Sequence, residues 1–280
     1  MFRIVRKQDF SPATYLWEIE APDVAAAAQP GHFVIVQHGP DGERIPLTVA
    51  DFDRERGTVT LVIQAVGKTT RALRMLQEGD HLDAFAGPLG TPSHIERRGK
   101  IVVVGGGLGV APVFPQLRRY KELGAYTLSI LGFRNKDLVF WEDKFRRYSD
   151  EVHLATDDGS AGTKGLVTDV LATLLARHKD IEEVVAIGPV VMMKACVAVT
   201  KPLGVKTMVS LNPVMVDGTG MCGGCRVTVG GQMKFACVDG PDFDGALVDF
   251  DEMSGRNRRY QQEEKQALAR FEEHCRLRGT

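Results

Sequence analysis

The chain predicts a β-barrel followed by an α/β domain: an antiparallel barrel, a parallel five-stranded nucleotide-binding sheet and a small C-terminal unit built on cysteines. Three observations predict it. The first part of the chain alternates short apolar runs with turn residues, the middle repeats strand, turn and amphipathic helix, and three of the five cysteines crowd into 16 residues, 222 to 237. The boundaries expected from these changes are 1–98, 99–213, 214–250 and a polar tail, 251–280.

In the first unit, the runs Gly31 to Val36 and Thr58 to Ile63 have the period of half-buried strands. One helical stretch, Thr70 to Leu76, interrupts them and ends at Gly79, with Leu73 and Leu76 at helical spacing. From Lys100 to about Pro213 the strand candidates are Ile101 to Val104, Thr127 to Leu131, Val152 to Ala155, Val184 to Ile187 and Thr207 to Leu211. Helical patterns such as Leu166 to Leu175 separate them, so right-handed crossovers and a parallel sheet follow, with ligands at the carboxyl ends of the strands. In the third unit Arg226 to Val229 opens a hairpin whose turn is Gly230-Gly231. The tail from Ser254 is rich in Arg, Glu and Gln and reads as a solvated surface helix, with a strap on a partner chain as the other reading.

Bulk composition narrows the function classes. A length of 280 residues calls for more than one compact unit, and 44% hydrophobic with 25% charged residues is ordinary for a globular protein. A formal net charge of -1 gives no electrostatic footing for nucleic acid. The N-terminal residues lack the apolar run of a signal peptide and no stretch is long enough to span a bilayer, so a reducing cytoplasm is expected. Five cysteines, three of them clustered, point to a metal site better than to a disulfide framework.

The cysteine loop carries the most specific chemistry. Asp217, Cys222 and Cys225 follow the C-x4-C-x2-C spacing of plant-type 2Fe-2S sites with Asp in the first position, and Cys237 supplies the distant fourth donor. Gly218, Gly220, Gly223 and Gly224 would let backbone amides approach cluster sulfurs. A structural zinc site of three Cys and one Asp is the alternative, although a zinc ribbon would present a second close pair of ligands. Cys196, in an apolar stretch, reads as an inert buried thiol, and Cys275 lies in the charged tail.

Further segments, in the sheet and in the barrel, can hold nucleotides. Directly after the first parallel strand, Gly105, Gly106, Gly107 and Gly109 make a turn that opens a helix through Ala111 and Pro112, placing amides and the positive helix end toward a pyrophosphate. Tight packing would also explain such glycines. The third strand ends in Thr156, Asp157, Asp158 and Gly159; an acidic side chain there binds ribose hydroxyls and repels a 2'-phosphate, which favours NADH, while Arg134 keeps NADPH open. In the barrel, Thr48 at a strand end can bond a flavin ring nitrogen, and Gly67 with Thr69 and Thr70 at a helix start can hold a second pyrophosphate.

Taken in order, the Arg44-Ile45-Pro46-Leu47-Thr48 strand, the Gly105 to Pro112 turn, the Thr156 to Gly159 strand end and the cysteine loop resemble the ferredoxin-NADP reductase superfamily over essentially the whole chain. Within it the chain resembles the electron-transfer subunits of dihydroorotate dehydrogenase and, more nearly, the small subunits of NADH-dependent reduced ferredoxin:NADP+ oxidoreductase, which are similar to it in pairing Asp with three Cys. The resemblance implies FAD in the barrel, NAD(H) or NADP(H) on the parallel sheet, a 2Fe-2S cluster, and a larger glutamate-synthase-like flavoprotein partner, with ferredoxin as a further one. It implies cofactor contacts from Arg44, Pro46, Leu47, Val62, Ile63, Gln64, Gly67, Thr69 and Thr70, a catalytic place for Thr48 near flavin N5, and contacts from Gly132, Arg134, Gly188 and Pro189 beside the glycine turn. Asp217, Cys222, Cys225 and Cys237 are the implied cluster ligands. One departure stands out: the superfamily places its Arg two residues before the ring-contacting residue, and that position here is Ile45, with Arg44 one step earlier.

Overall fold

The computed structural model describes residues 2–39 and 42–278. Strands β1 (Phe2–Asp9), β2 (Thr14–Glu20), β3 (Phe33–Gln37), β4 (Ile45–Asp53), β5 (Thr58–Gln64), β6 (His81–Leu82) and β7 (Ala84–Leu89) form one antiparallel sheet in the order β6-β1-β2-β5-β4-β3-β7. Asp83 alone separates β6, which pairs with β1, from β7, which pairs with β3, so the two ends of the sheet meet and the barrel nearly closes. Alternation fills its interior: Tyr15, Trp17 and Ile19, then Val34 and Val36, then Val59, Leu61 and Ile63 lie in one buried cluster. Two short helices, α1 (Pro22–Ala27) and α2 (Lys68–Arg74), cap this unit.

The barrel is split at one place. β4 pairs with β5 from Val49 to Asp53, whereas its first residues, Ile45 to Thr48, pair with β3 alone. β5 runs on past this register, and Val62, Ile63 and Gln64 keep their partners only on β2. The facing edges of Ile45 to Thr48 and Val62 to Gln64 therefore carry backbone groups outside the ladder, a mouth lined with unspent donors and acceptors.

The second sheet contains β8 (Lys100–Gly106), β9 (Tyr126–Phe133), β10 (Glu151–Thr156), β11 (Thr163–Lys164), β12 (Glu183–Ile187) and β13 (Lys206–Ser210). After these, β14 (Arg226–Val229) and β15 (Gln232–Phe235) make the expected hairpin around Gly230 and Gly231, both at positive φ, and β16 (Asp242–Asp244) returns to the edge of the large sheet. Strand order is β11-β10-β9-β8-β12-β13-β16, so the five expected parallel strands gain two short neighbours, one parallel and one antiparallel. Runs of two and three residues carry no periodicity to detect. Helices α3 (Val110–Glu122), α4 (Glu142–Arg146), α5 (Val167–Arg177) and α6 (Val190–Thr200) cover the sheet.

One continuous core joins this sheet to the cysteine segment. Val102, Leu128 and Val184 of the strands share a buried cluster with Cys225, Val227, Ala236 and Cys237, and Phe33 and Ile35 of the barrel belong to it as well. Cys196 is fully buried there, and burial pushes its thiol up to about 12, so it is the inert packing residue its context suggested. The chain ends in α7 (Phe250–Asn257) and α8 (Gln261–Arg278). Among the described residues of α8 only Ala267, Leu268, Phe271 and Cys275 are half-buried, a single stripe, and Glu272 pairs with Arg71 of α2. The tail lies along its own barrel. No helix among the described residues is long and apolar enough to cross a membrane.

Candidate functional site: two nucleotide crevices and a cysteine loop

Strand order in the large sheet reverses between β8 and β12, and the crevice at such a reversal, outside the carboxyl ends of the strands, is where α/β sheets bind ligands. At that place Gly107 has φ +54 and nothing within 4 Å of where a Cβ would stand, so glycine is required by the turn and leaves open space beside it. The other glycines answer to packing. A Cβ on Gly105 would lie 2.7 Å from the Val110 Cα, one on Gly109 2.1 Å from the Ile187 carbonyl oxygen, and one on Gly132 2.2 Å from Val167 Cγ1. The turn passes through a 3-10 stretch, Gly107–Gly109, into α3, whose N-terminus has no side-chain cap. Its first amides, around buried Ala111 and half-buried Pro112, keep their capacity for an anion.

At the end of β10 the expected residues divide. Thr156 is buried, and its hydroxyl donates to the Ala161 carbonyl at 2.6 Å and accepts from the Ala161 amide at 3.1 Å, which spends it on the turn rather than on a ligand. Asp158 accepts from the hydroxyl and amide of Ser160, at 2.6 and 2.9 Å, and these bonds hold its carboxyl below the usual carboxylate range. The Asp157 carboxylate is exposed and makes no hydrogen bond among the described residues, and Arg134 is exposed at the neighbouring strand end. Gly188 and exposed Pro189 lead from β12 into α6.

At the barrel mouth, Pro46, Leu47 and Thr48 are half-buried on the free edge of β4, and Arg44 is exposed just before it. Ile63 points into the barrel core, so only its backbone can serve a ligand; Val62 and half-buried Gln64 flank it. Thr70 also departs from expectation: its hydroxyl accepts from the Val66 and Gly67 amides, both at 3.1 Å, forming the returning half of a capping box. The Thr69 hydroxyl donates to Glu43, and Lys68 lies 3.7 Å from the same carboxylate. Glu43 is a residue that motif reading missed. It places a negative charge against the first turn of α2, the position a diphosphate would occupy, so the donors there fit an anion.

The cysteine loop packs against the barrel and shares the buried core of the large sheet. Cys225 and Cys237 are buried with sulfurs 3.1 Å apart, whereas Cys222 is exposed at the loop tip with the Gly224 amide 3.5 Å from its sulfur. Burial pushes the Cys237 thiol up to about 12, so ligation by its thiolate requires a cation to offset that cost. Asp217 accepts from the amides of Thr219 and Cys222 at 2.8 and 2.7 Å, which depresses its carboxyl and folds the loop around it. Among the described residues no three His, Cys, Asp or Glu side chains gather closely enough to share a single ion. One buried sulfur pair, with the Asp217 carboxylate held by the backbone amide of Cys222, fits a two-metal group, which divides four donors into pairs. Gly218, Gly220 and Gly223 have φ of +76, +84 and +65, and the loop lies against β3: a Cβ on Gly218 would be 3.6 Å from Phe33 Cε2. Phe33 is the cross-strand partner of Thr48.

Comparison with known proteins agrees with this geometry. Residues 212–249 match the family model described as the iron-sulfur cluster binding domain of dihydroorotate dehydrogenase B. The chain is 33% identical to the dihydroorotate dehydrogenase B (NAD(+)) electron transfer subunit of Fusobacterium nucleatum, over 81% of this chain and 90% of that one. It belongs to the dihydroorotate dehydrogenase B electron-transfer subunit family. A homolog of that subunit in Thermotoga maritima is 47% identical over 96% of this chain and 94% of its own. A solved structure of an NADH-dependent reduced ferredoxin-NADP oxidoreductase, studied for flavin-based electron bifurcation, superposes with a TM-score of 0.92 at 45% identity, covering 97% of this chain and 98% of that chain. This electron-transfer subunit thus has the reductase fold: a flavin-type barrel, a nucleotide-type sheet and an iron-sulfur segment.

A cleft of about 1610 Å³ is lined by none of the site residues named above. It is lined by residues such as Glu18, Asp51, Phe52, Arg118, Trp141 and Lys144, whose charges are already matched. Asp51 of β4 accepts from Arg118 of α3 and from Lys144 at 2.6 Å, and Lys144 sits 3.9 Å from the Trp141 ring centroid and 4.1 Å from that of Phe114. Saturated pairs on opposite walls describe a joint between barrel and sheet.

Proposed function

We propose that the protein moves a hydride between NAD(H) and FAD and single electrons between FAD, a 2Fe-2S cluster and a larger flavoprotein partner of the glutamate-synthase-like type, as in ferredoxin:NADP+ oxidoreductases. One observation carries this reading: Phe33 pairs with Thr48 at the barrel mouth on one strand and borders Gly218 of the cysteine loop on its ring edge, so a flavin site and a cluster site stand one side chain apart. The cofactors supply hydride acceptance and one-electron storage when bound; the protein supplies placement.

Each placement has named residues. Thr48 offers a hydroxyl at the free β4 edge for a ring nitrogen, Leu47 and Pro46 offer apolar contact, and the backbone of Val62, Ile63 and Gln64 offers the opposite edge. Lys68, Thr69 and the amides after Gly67 would hold the diphosphate once Glu43 is displaced, with Arg44 close by in sequence. On the sheet, the amides from Gly107 onward take the dinucleotide's pyrophosphate and Asp157 takes its ribose, which favours NAD(H), while exposed Arg134 is the group through which NADP(H) would be accepted. Cys225 and Cys237 form the buried half of the cluster site, and Asp217 and Cys222 the outer half, nearest a docked partner. Membership of the family also favours a second reading, an electron-transfer subunit of a dihydroorotate dehydrogenase, and the 45% identity to the ferredoxin-NADP oxidoreductase structure favours the first.

Metal analysis, flavin extraction and anaerobic reduction by NADH test the proposal together. The parent chain is expected to hold FAD and iron, to bleach on NADH addition, and to show a paramagnetic reduced cluster. Cys237→Ser should lose iron while NADH still bleaches the flavin. Zinc in place of iron with no flavin absorbance would refute the proposal.

A further inference from the structure

The crevice between β8 and β12 holds a side chain that no motif assigns. α6 begins directly after Gly188 and Pro189, and the Met192 amide donates to the Pro189 carbonyl at 2.9 Å, so Met192 stands in the first turn of the helix above the strand ends. Its thioether lies across both strand ends: a Cβ on Gly106 would come within 2.2 Å of Met192 Sδ, and one on Gly188 within 2.8 Å of its Cε. The ideal Cβ of Gly188 is also 3.2 Å from Gly106 Cα, so the two glycines face each other beneath that one side chain. Neighbours on the helix point elsewhere. Val191 is 75% exposed and Met193 is fully buried in the core, leaving Met192 half-buried at the crevice, at the margin of that core.

We propose that Met192 is a positioning residue that plugs the crevice and must swing aside before the nicotinamide half of a dinucleotide can reach the barrel; this rests on the nucleotide-binding reading above. The crevice opens toward the flavin side, since Leu108 of the glycine turn packs in one cluster with Val62 of β5. A pyrophosphate held after Gly107 therefore leaves the nicotinamide ring to settle between Gly106, Gly188 and the barrel mouth, where the thioether lies. Methionine suits a movable plug because its unbranched chain has three rotatable bonds and a polarizable sulfur that packs equally well in several rotamers. A ligand that binds only the unplugged form has its dissociation constant raised by the inverse of that form's population. The ADP-ribose half, bound farther out, escapes this penalty.

Calorimetric titration of the FAD-loaded chain with NAD+ and, separately, with ADP-ribose tests the plug. Met192→Ala is expected to tighten NAD+ by about 3- to 10-fold, as for a competent fraction of roughly a tenth to a third, with ADP-ribose within about twofold of the parent. Met192→Leu, a stiffer side chain of similar volume, should weaken NAD+ and again spare ADP-ribose, and it guards against a poorly folded alanine variant. Parallel shifts in both ligands, or no shift of NAD+ in either variant, would overturn the plug. Failure of the parent to bind either ligand would instead remove the nucleotide site itself, and the plug with it.

Discussion

Asp217 closes its own loop by accepting two amide hydrogen bonds and, by its spacing, is proposed for the first ligand position, and these two roles would respond differently to substitution. Asp217→Cys is expected to keep iron in the loop but to shift the cluster potential, since a thiolate donates more charge to iron than a carboxylate does. An unchanged redox titration would show that Asp217 only shapes the loop. Thr48 is the other residue whose proposed role rests on a single atom. Thr48→Val preserves strand preference and removes the hydroxyl, so slower NADH-dependent flavin reduction, by about 5- to 10-fold for one lost hydrogen bond, is the expected stopped-flow result. Both positions were singled out by residue type and spacing. The use of Thr70 for capping and of Thr156 inside its turn was not, because a hydroxyl's partner depends on which backbone groups folding leaves beside it.

The segment from β8 through the glycine turn into α3 shows how close packing and ligand access share one motif. Gly105 and Gly109 are glycines because backbone stands against them, and Gly107 because of its left-handed φ. Gly109→Ala would drive a Cβ into the Ile187 carbonyl and separate α3 from β12; a destabilisation of about 1–3 kcal/mol and a drop of several degrees in Tm are expected. A melting curve matching the parent would mean that the helix can shift to accept the methyl. Similarly, the split between β4 and β5 arises from register. Residues 45–48 and 62–64 are ordinary strand sequence, and their unpaired edges exist because β4 leaves β5 at Val49 while β5 continues. Strand positions were legible from alternation; the split, the short β11 and β16, and the contact of Met192 with two glycines far away in sequence were not.

Asp242 ties three parts of the fold together. Its Oδ2 accepts from Ser93 Oγ at 2.6 Å, in the connection leaving the barrel, and from Gln116 Nε2 at 2.9 Å on α3, while Asp242 itself follows the cysteine loop on β16. Oδ1 is enclosed without a partner, and burial raises the carboxyl's pKa above its ordinary 3.8. A raised folded pKa means that this group's stabilising contribution is complete below about 3.8 and is lost as pH climbs through the folded value. Asp242→Asn cannot ionise, so its urea midpoint should improve relative to the parent between pH 4.5 and pH 8. An offset that stays constant between those two conditions would mean that the carboxyl does not titrate there. Asp51 makes a corresponding tie, binding Arg118 and Lys144 across the joint, and burial lowers the Lys144 pKa even so.

Local pattern was sufficient for the barrel, the parallel sheet, the glycine turn and the cysteine loop, because each is written in periodicity or spacing over a few residues. Glu43 at the start of α2, Met192 over Gly106 and Gly188, Phe33 between Thr48 and Gly218, and Asp242 among Ser93 and Gln116 depend on contacts between distant segments. Such contacts arise only when register, strand order and crossover hand are all realised at once, and no short window of residues contains that information.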